Sequence, residues 1–304
     1  MGTMFSITLY APEENSAAAA AEAAFHRVDA LEDMMSDYQA DSELLQLCDQ
    51  PYGKPVAVSP ELFDIFQRAQ EISKLSNGAF DITIGPCVRL WRFSRKRKTL
   101  PTAAELAAAR RAVGYGNLRL EPHTRTATLL APNMRLDLGG IAKGYAADEA
   151  LKVMTRRGIK SALVAASGDI AIGDPPPEQK GWKVSLSTID AHTNQVTGTW
   201  VLHNCGVSTS GDTEQFVEIN GVRYSHILDP STGLGLTNRI QASIIAPDAT
   251  ATDALATTVC VLGPKRGLAL IDSMPHTAAL ILTKNGTQTQ SFASRRFDKL
   301  HGKP

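Results

Sequence analysis

Residues 135–148 read Arg-Leu-Asp-Leu-Gly-Gly-Ile-Ala-Lys-Gly-Tyr-Ala-Ala-Asp, and they contain the clearest change of local pattern in the chain. The apolar alternation through Met134, Leu136 and Leu138 predicts a short strand, because alternate side chains of a strand share one face. Two glycines then permit a tight turn, and the alanine-rich residues that begin at Ile141 predict a helix. The stretch is therefore predicted to be a strand, a glycine turn and the first turns of a helix.

This turn and the helix after it are predicted to attract an anion. The first amide groups of a helix have no partner within the helix, the helix dipole is positive at this end, and Lys143 adds a full positive charge. The stretch matches neither the Gly-x-x-x-x-Gly-Lys-Ser/Thr loop nor the Gly-x-Gly-x-x-Gly fingerprint of nucleotide-binding domains. The same pattern by itself also fits a purely structural connection.

Composition and charge narrow the class of protein. A hydrophobic content of 43% in 304 residues is enough for a sizeable core. The 31 basic and 31 acidic residues balance, which argues against nucleic acid as the main partner. The basic run from Arg95 to Lys98 is interpreted as a solvated loop, and no apolar window long enough to cross a membrane is expected. The four cysteines are widely spaced and are interpreted as buried free thiols.

The order of predicted elements gives the fold class. Strands outnumber helices and follow one another through hairpins, one of them around Asn220-Gly221, so the class is α+β with largely antiparallel sheets. The predicted helices are residues 16–35, 60–75, 102–113, 141–155, 248–262 and 264–273. The predicted strands and hairpins are residues 3–10, 118–131, 161–166, 182–188, 199–210, 215–228, 240–246 and 277–283.

Asp253 and Thr257 are the strongest candidates for a metal site. They lie four residues apart in a predicted helix, so the carboxylate and the hydroxyl share one face. Oxygen ligands of this kind suit Mg²⁺, which keeps several waters and also binds substrate phosphates. The alternative is structural: Asp253 would stabilise the beginning of the helix, and Thr257 would simply pack.

Other residues are candidates for a functional site, and each of them also has a purely structural interpretation. His226, predicted on a strand before a turn, could act as a general base or contact a phosphate, or it could be a structural histidine. Tyr38 and Phe80 could stack on a flat ring, or both could belong to the core. The short turns Ser167-Gly168-Asp169 and Ser208–Asp212 could hold a ligand or be only turns. No Gly-x-Ser-x-Gly elbow supports a hydrolase triad.

Taken together and in order, these segments resemble the bacterial ApbE-type FAD:protein FMN transferases along essentially the whole chain. The resemblance rests on Met1-Gly2-Thr3, Met35-Ser36-Asp37-Tyr38, Asp41-Ser42-Glu43-Leu44, residues 78–86, Asp137 to Asp148, Ser167-Gly168-Asp169, Ser208-Thr209-Ser210-Gly211-Asp212, His226-Ile227-Leu228-Asp229-Pro230, and Asp253 to Thr257.

The resemblance implies an ApbE-type α+β fold, in which residues 1–304 form a single catalytic unit with FAD in a cleft between two lobes. It implies Mg²⁺-dependent transfer of FMN from FAD to a Thr or Ser hydroxyl of a target flavoprotein, through a phosphoester bond and with release of AMP. The implied targets are subunits of membrane electron-transfer complexes, such as the Na⁺-translocating NADH:quinone reductase and its relatives.

The resemblance also implies a role for individual residues. His226 and Asp253 would be catalytic, His226 by activating the acceptor hydroxyl or steadying the phosphates. The metal ligands would be Asp253, Thr257 and the backbone oxygens of Gly140 and Ala256. The FAD site would be formed by Met1, Tyr38, Ala79, Phe80, Asp81, Asp137, Lys143 and Ile227, with Tyr38 against the flavin.

The chain departs from the family pattern at positions that concern target recognition. Ser231 and Leu234-Gly235 stand where the family commonly has an arginine and an aromatic-proline pair, and Thr213 stands where an aromatic often occurs. Because family members are usually exported and often lipid-anchored, we expect a periplasmic location at the inner membrane after removal of an export or lipoprotein segment; the alternative is a cytoplasmic form. The alternative functions are a Mg²⁺-dependent FAD pyrophosphatase and a non-catalytic flavin-binding protein.

Overall fold

The computed structural model describes residues 3–187, 196–212 and 215–300. The helices are α1 (Glu14–Met35), α2 (Glu43–Cys48), α3 (Pro60–Leu75), α4 (Gly85–Arg97), α5 (Ala103–Arg110), α6 (Ala142–Arg156), α7 (Ala249–Ser273) and α8 (Phe297–Leu300). The strands are β1 (Phe5–Leu9), β2 (Val56–Ala57), β3 (Leu118–Glu121), β4 (Thr126–Leu129), β5 (Ala162–Ala166), β6 (Asp169–Ile172), β7 (Trp182–Ser187), β8 (Val196–Leu202), β9 (Cys205–Gly211), β10 (Phe216–Ile219), β11 (Val222–Ser225), β12 (Leu228–Asp229), β13 (Leu234–Gly235), β14 (Arg239–Ala246), β15 (Ala278–Asn285) and β16 (Gln288–Ala293).

The chain divides into two compact units, each built from separated segments. Unit 1 contains residues 1–32, 141–213 and 240–304, and unit 2 contains residues 33–140 and 214–239. The expectation that residues 1–304 act as a single catalytic unit stays a prediction.

Unit 1 is organised around a seven-stranded sheet with the order β1-β5-β6-β9-β14-β15-β16. The pairs β1–β5, β5–β6, β6–β9, β9–β14 and β15–β16 are antiparallel. In β5, Leu163 packs against a cluster that includes the buried residues of the two-stranded ribbon β7–β8, and the neighbouring Ala162 and Val164 are fully buried. This alternation places α6, which packs on β5 and β6, and α7, which packs on β9, on the face opposite the ribbon.

Helix α1 shows how helical spacing builds the core of this part of the chain. Its buried residues recur every three or four positions and therefore lie on one face: Ala20, Ala24, Val28, Leu31 and Met35. The helix begins at Glu14, two residues before the expected position, and the Ser16 hydroxyl donates to the Glu13 carbonyl at 2.7 Å.

Helix α7 contains the one long apolar segment among the described residues. An 18-residue window has a mean hydropathy of 1.3, so the expectation that no such window exists is wrong. Core helices of folded proteins pass the same test of length and composition. Here α7 packs on β9 and α6, and Gly263, with φ 73° and ψ 175°, separates it into the two helices that the sequence predicts.

Unit 2 combines helices with short antiparallel hairpins. Cys87 and Trp91 of α4 pack against Val217 and Ile219 of the β10–β11 hairpin. The hairpin turn has positive φ at Asn220 and Gly221, 52° and 75°, as the Asn-Gly signal predicts. The run Arg95–Lys98, interpreted from sequence as a loop, instead forms the last turn of α4 and its left-handed cap.

Residues 134–148 fold partly as the sequence predicts. The glycine turn and helix α6 are present, but residues 134–138 have no regular secondary structure and belong to no sheet. The Leu136 amide donates to the Cys48 sulfur at 3.4 Å and the Asp137 amide to the Ile82 carbonyl at 2.8 Å. These two amides therefore bond to the end of α2 and to a short 3-10 turn rather than to a neighbouring strand, so no ladder forms.

Gly144 allows α6 and α7 to approach each other closely. A Cβ atom at Gly144 would lie 2.1 Å from the Ala249 carbonyl oxygen and 2.9 Å from the Asp253 Cβ. The same helices are joined by Asp148, whose carboxylate accepts hydrogen bonds from the amides of Ala249 and Thr250. The first turns of α6 and α7 are thus fixed against each other.

We expect Gly144→Ala to lower the free energy of unfolding by about 1–3 kcal/mol, because the new methyl group overlaps backbone atoms that cannot rotate away. Chemical denaturation followed by circular dichroism measures this. Gly116→Ala is the matched control, since a Cβ there meets no atom within 4 Å. Equal losses in the two variants would contradict the close approach of α6 and α7.

Candidate functional site

In unit 1, one ammonium group contacts two buried carboxylates. The Nζ atom of Lys143, in the first turn of α6, donates to Asp169 Oδ2 and, at 3.2 Å, to Asp253 Oδ1. The side chains of Asp169 and Asp253 are 4% and 1% exposed, whereas that of Lys143 is 28% exposed. The group carries two carboxylates and one cation, so it favours further positive charge beside the carboxylates.

Asp253 links this group to the backbone of α6. Its Oδ2 atom accepts a hydrogen bond from the Gly144 amide at 3.1 Å. Burial raises the pKa of Asp253 to about 7, and Asp169 adds to this, against the attraction of Lys143. Burial lowers the pKa of Lys143, but the two carboxylates outweigh this effect and raise it above its ordinary value. Lys143 is therefore a permanent cation at neutral pH.

Thr257 follows Asp253 by one turn of α7, as predicted. Its hydroxyl lies 3.5 Å from the Ser210 hydroxyl at the end of β9. In the described part of the chain, no group of three His, Cys, Asp or Glu residues could hold a metal ion. One carboxylate with nearby hydroxyls fits a hard cation that takes its remaining ligands from water and substrate phosphates. The residues present therefore fit Mg²⁺.

The two predicted backbone ligands lie in different surroundings. Gly140 belongs to the glycine turn of unit 2. Ala256 is fully buried inside α7, where helical carbonyls accept the hydrogen bonds of the helix itself. Metal binding by these two oxygens stays a prediction.

In unit 2, Tyr38 lies at the centre of a second group of charged side chains. Its ring is 76% exposed, and the Arg92 guanidinium lies over it at 4.1 Å from the ring centroid. Arg92 also contacts Asp37 at 2.6 Å and Asp137 at 3.4 Å. Sequence reasoning missed Arg92, which lies in α4, because no motif in the sequence marks this position.

The Asp137 carboxylate is held at the beginning of the glycine turn. Its Oδ1 atom accepts a hydrogen bond from the Gly139 amide at 2.8 Å, which fixes the turn. Burial, together with the nearby charge of Asp37, raises the pKa of Asp137 to about 6. An exposed aromatic ring, an arginine and a carboxylate on a rigid turn can bind a flat polar ring and its substituents.

The predicted FAD residues 79–81 have structural partners in this unit. Phe80 is only 5% exposed, so its ring belongs to the interior. Asp81 caps the short 3-10 turn that follows it, accepting hydrogen bonds from the Thr83 amide at 2.8 Å and hydroxyl at 2.7 Å. Burial raises the pKa of Asp81. Ala79 is half-buried, and contact of these three residues with FAD stays a prediction.

His226 lies between β11 and β12 rather than on a strand. Its Nδ1 atom lies 3.1 Å from the Gln215 carbonyl oxygen. A carbonyl oxygen only accepts hydrogen bonds, so in the neutral imidazole this contact places the proton on Nδ1 and the lone pair on Nε2. The neighbouring Ile227 is 7% exposed. Met1, the remaining predicted FAD residue, lies outside the described residues.

Comparison with known proteins identifies the family. The model of the ApbE family matches residues 1–281. A FAD:protein FMN transferase of Vibrio cholerae is 30% identical over 268 residues, which cover 87% of this chain and 79% of that protein. One of Treponema pallidum is 33% identical over 301 residues, covering 93% of this chain and 82% of that protein.

Solved structures agree with the sequence comparison. The flavin transferase ApbE from Vibrio cholerae has a TM-score of 0.87 at 28% identity, and the match covers 98% of this chain and 96% of that one. The apo form of the flavinyl transferase ApbE from Pseudomonas stutzeri has a TM-score of 0.87 at 26% identity, covering 100% and 95%.

These matches place the chain in the class of α+β proteins to which the solved flavin transferases belong, and the α+β expectation is confirmed. The chain belongs to the ApbE family.

The raised pKa of Asp137 predicts a stability that depends on pH. Because the folded-state pKa of about 6 exceeds the ordinary 3.8, folding favours the protonated carboxyl, and the ionised form is destabilising above about pH 6. Asp137→Asn should therefore raise the free energy of unfolding by about 2 kcal/mol near pH 7.5, with the gain shrinking towards pH 4. Denaturant titrations at both pH values measure this.

Asp49→Asn serves as the control, because Asp49 is a 58% exposed carboxylate that pairs with Arg135 in the same unit. It should show no gain near neutral pH. If Asp137→Asn were less stable than the unmodified protein at pH 7.5, the unfavourable burial of the Asp137 charge would be disproved.

Proposed function

We propose that this chain transfers FMN from FAD to a Thr or Ser hydroxyl of a target flavoprotein, with Mg²⁺ and with release of AMP. The class of reaction, transfer of FMN from FAD to a protein, follows from membership of the ApbE family and from relatives named FAD:protein FMN transferase. The metal, the acceptor hydroxyl and the leaving group are the proposed parts.

The observation that carries the proposal is the pairing of Lys143 with Asp253 at the beginning of α6. A diphosphate is stabilised by positive charge from a side chain and from a bound cation. Lys143 supplies the side-chain charge, and the carboxylates beside it favour a cation. Asp253 and Thr257 would hold Mg²⁺, with backbone oxygens of Gly140 and Ala256 as further candidates. When bound, Mg²⁺ neutralises charge that develops on the phosphate oxygens.

Residues of this chain would bind the phosphates of FAD and its flavin ring. Lys143 would bind the phosphates, because its ammonium is a partly exposed donor that stays charged. The exposed Tyr38 ring would lie against the flavin, and Arg92, which contacts that ring, would hold the ring's orientation. Asp137, fixed by the Gly139 amide, would accept a hydrogen bond from FAD. Met1, Ala79, Phe80, Asp81 and Ile227 are the further proposed FAD residues.

His226 would activate the acceptor. In the step proposed, the hydroxyl oxygen attacks the FMN-side phosphorus, the bond from this phosphorus to the bridging oxygen breaks, and AMP leaves. The hydroxyl proton passes to the Nε2 atom of His226, which has the lone pair because Nδ1 donates to the Gln215 carbonyl. Asp253 contributes by holding Mg²⁺ rather than by taking a proton.

The target and the location are further proposals. Subunits of membrane electron-transfer complexes, such as the Na⁺-translocating NADH:quinone reductase, are the proposed targets, and the periplasmic side of the inner membrane is the proposed location. Both are supported by what is usual in the ApbE family. Detection of the protein only in the cytoplasmic fraction of its cells would contradict the proposed location.

The deciding experiment incubates the protein with FAD, Mg²⁺ and a fragment that carries an Asp-x-x-Ser/Thr-Gly-Ala-Thr acceptor. Intact mass spectrometry of the fragment and chromatography of nucleotides are the measurements. A gain in mass equal to FMN, with AMP released, is the expected result. Free FMN and AMP beside an unmodified fragment would instead indicate a pyrophosphatase, and unchanged FAD would indicate a flavin-binding protein.

Asp253→Asn should lower the transfer rate by about 100-fold or more, because the amide oxygen binds a divalent cation poorly while still accepting from Gly144. The same mass measurement checks this, with circular dichroism to confirm folding. Asp272→Asn is the control: it lies on the same helix and pairs with Arg295, so transfer should be unchanged. Unfolding of the Asp253 variant would assign Asp253 a structural role.

Tyr38→Ser should weaken FAD binding by about tenfold, because stacking of a base or flavin on an aromatic ring contributes about 1–3 kcal/mol. Quenching of flavin fluorescence measures the affinity. Tyr52→Ser is matched to it, since Tyr52 is a 63% exposed tyrosine of the same unit. Equal FAD affinities for the two variants would exclude Tyr38 from the flavin site.

A further inference from the structure

Within α6 itself, the position of Lys143 is electrostatically unfavourable. The residue lies in the first turn of the helix, where the dipole is positive and cations are disfavoured. That turn contains no acidic residue, and Ile141 at its beginning makes no side-chain capping hydrogen bond. A lysine here also has a flexible four-carbon stem with many rotamers. Residues outside α6 must therefore keep the ammonium in one place.

Asp169 is built to supply such a fixed negative charge. It is the first residue of β6, and its backbone pairs with Ala166 of β5 and Ser208 of β9. The turn before it is tight: Ser167 has φ 58°, and the Gly168 carbonyl accepts from the Thr209 amide at 3.0 Å. The Asp169 carboxylate is consequently fixed by sheet strands on both sides.

Asp253 is less suited to hold Lys143 by itself. One of its oxygen atoms accepts from the Gly144 amide and the other from Lys143. With a divalent cation on Asp253, as the proposed function requires, an ammonium held only by Asp253 would be repelled. The Asp169 carboxylate supplies a second, separate negative charge on the same ammonium.

We propose that Asp169 is a positioning residue, whose carboxylate holds the Lys143 ammonium where it binds the phosphates of FAD. This proposal rests on the proposed function. Asp169 acts through Lys143: it forms no bond with the substrate and takes no proton. The Ser-Gly-Asp turn of the sequence thereby acquires a role, because the turn sets the direction of one carboxylate.

The first test measures the reactivity of Lys143 without any enzymatic turnover. Reductive methylation with formaldehyde and cyanoborohydride, followed by peptide mass spectrometry, gives the modification rate of each lysine. In Asp169→Asn the side chain of Lys143 loses one of the two carboxylates that hold it in place, so we expect its amine to be more accessible and to react at least about fivefold faster. Asp169→Ser removes the same charge and is used instead of Asp169→Asn if the latter does not fold.

Glu149→Gln is the matched control. Glu149 is a poorly exposed carboxylate of the same unit that pairs with Lys152 and Arg27. This variant should speed the modification of Lys152 and leave that of Lys143 unchanged. Equal Lys143 rates in the unmodified protein and in both Asp169 variants would overturn the proposal, as would a rise that includes Lys152 equally, because that indicates general loosening.

The second test separates action through Lys143 from independent action. FAD affinity is measured by flavin fluorescence in the unmodified protein, Asp169→Asn, Lys143→Met and the double variant. Asp169→Asn should weaken FAD binding about tenfold in the presence of Lys143, but less than about threefold in the Lys143→Met background. The same loss in both backgrounds would show that Asp169 acts directly, and the positioning role would be wrong.

The two proposals fail in different ways. A protein that shows the expected labelling and affinity changes but transfers no FMN retains the role of Asp169 and loses the proposed function. A protein that transfers FMN, but whose Lys143 reactivity and FAD affinity are unaffected by Asp169→Asn, retains the function and loses the inference.

Discussion

The contact of one ammonium with two buried carboxylates is the constraint on which unit 1 depends. Ionised carboxylates are unstable in a protein interior unless they are paired and hydrogen-bonded. Lys143, Asp169 and Asp253 come from α6, β6 and α7, so their pairing fixes two helices and one strand in a single arrangement. The sheet and both helices must be in place before any of these charges can be buried.

Small residues make this arrangement sterically possible. Gly144 lets the backbone of α6 come within contact of α7, and its amide then donates to Asp253. Asp148, which also lies on α6, accepts hydrogen bonds from the first amides of α7. Hydrogen bonds thus join α6 and α7 beside Lys143. The close contact of the helices and the charged group of Lys143, Asp169 and Asp253 therefore stabilise the same arrangement.

Unit 2 repeats the same electrostatic pattern with a different exposure. Arg92 lies between Asp37 and Asp137, as Lys143 lies between Asp169 and Asp253. The difference is Tyr38, whose exposed ring lies against Arg92 and leaves this group open to a flat ligand. In each unit, two carboxylates flank one fixed cation.

The sequence by itself determined the α+β class, the Asn220-Gly221 hairpin, the break of α7 at Gly263 and the one-turn spacing of Asp253 and Thr257, because these depend on local backbone preferences and on residue spacing. Its motifs also identified the ApbE family. Only the tertiary structure decided that residues 134–138 form no sheet, that the side chains of Phe80 and Asp81 are buried, and that Arg92 and Asp169 complete the two charged groups. The physical reason is that burial and ion pairing join residues far apart in the chain, and no local pattern records the partner.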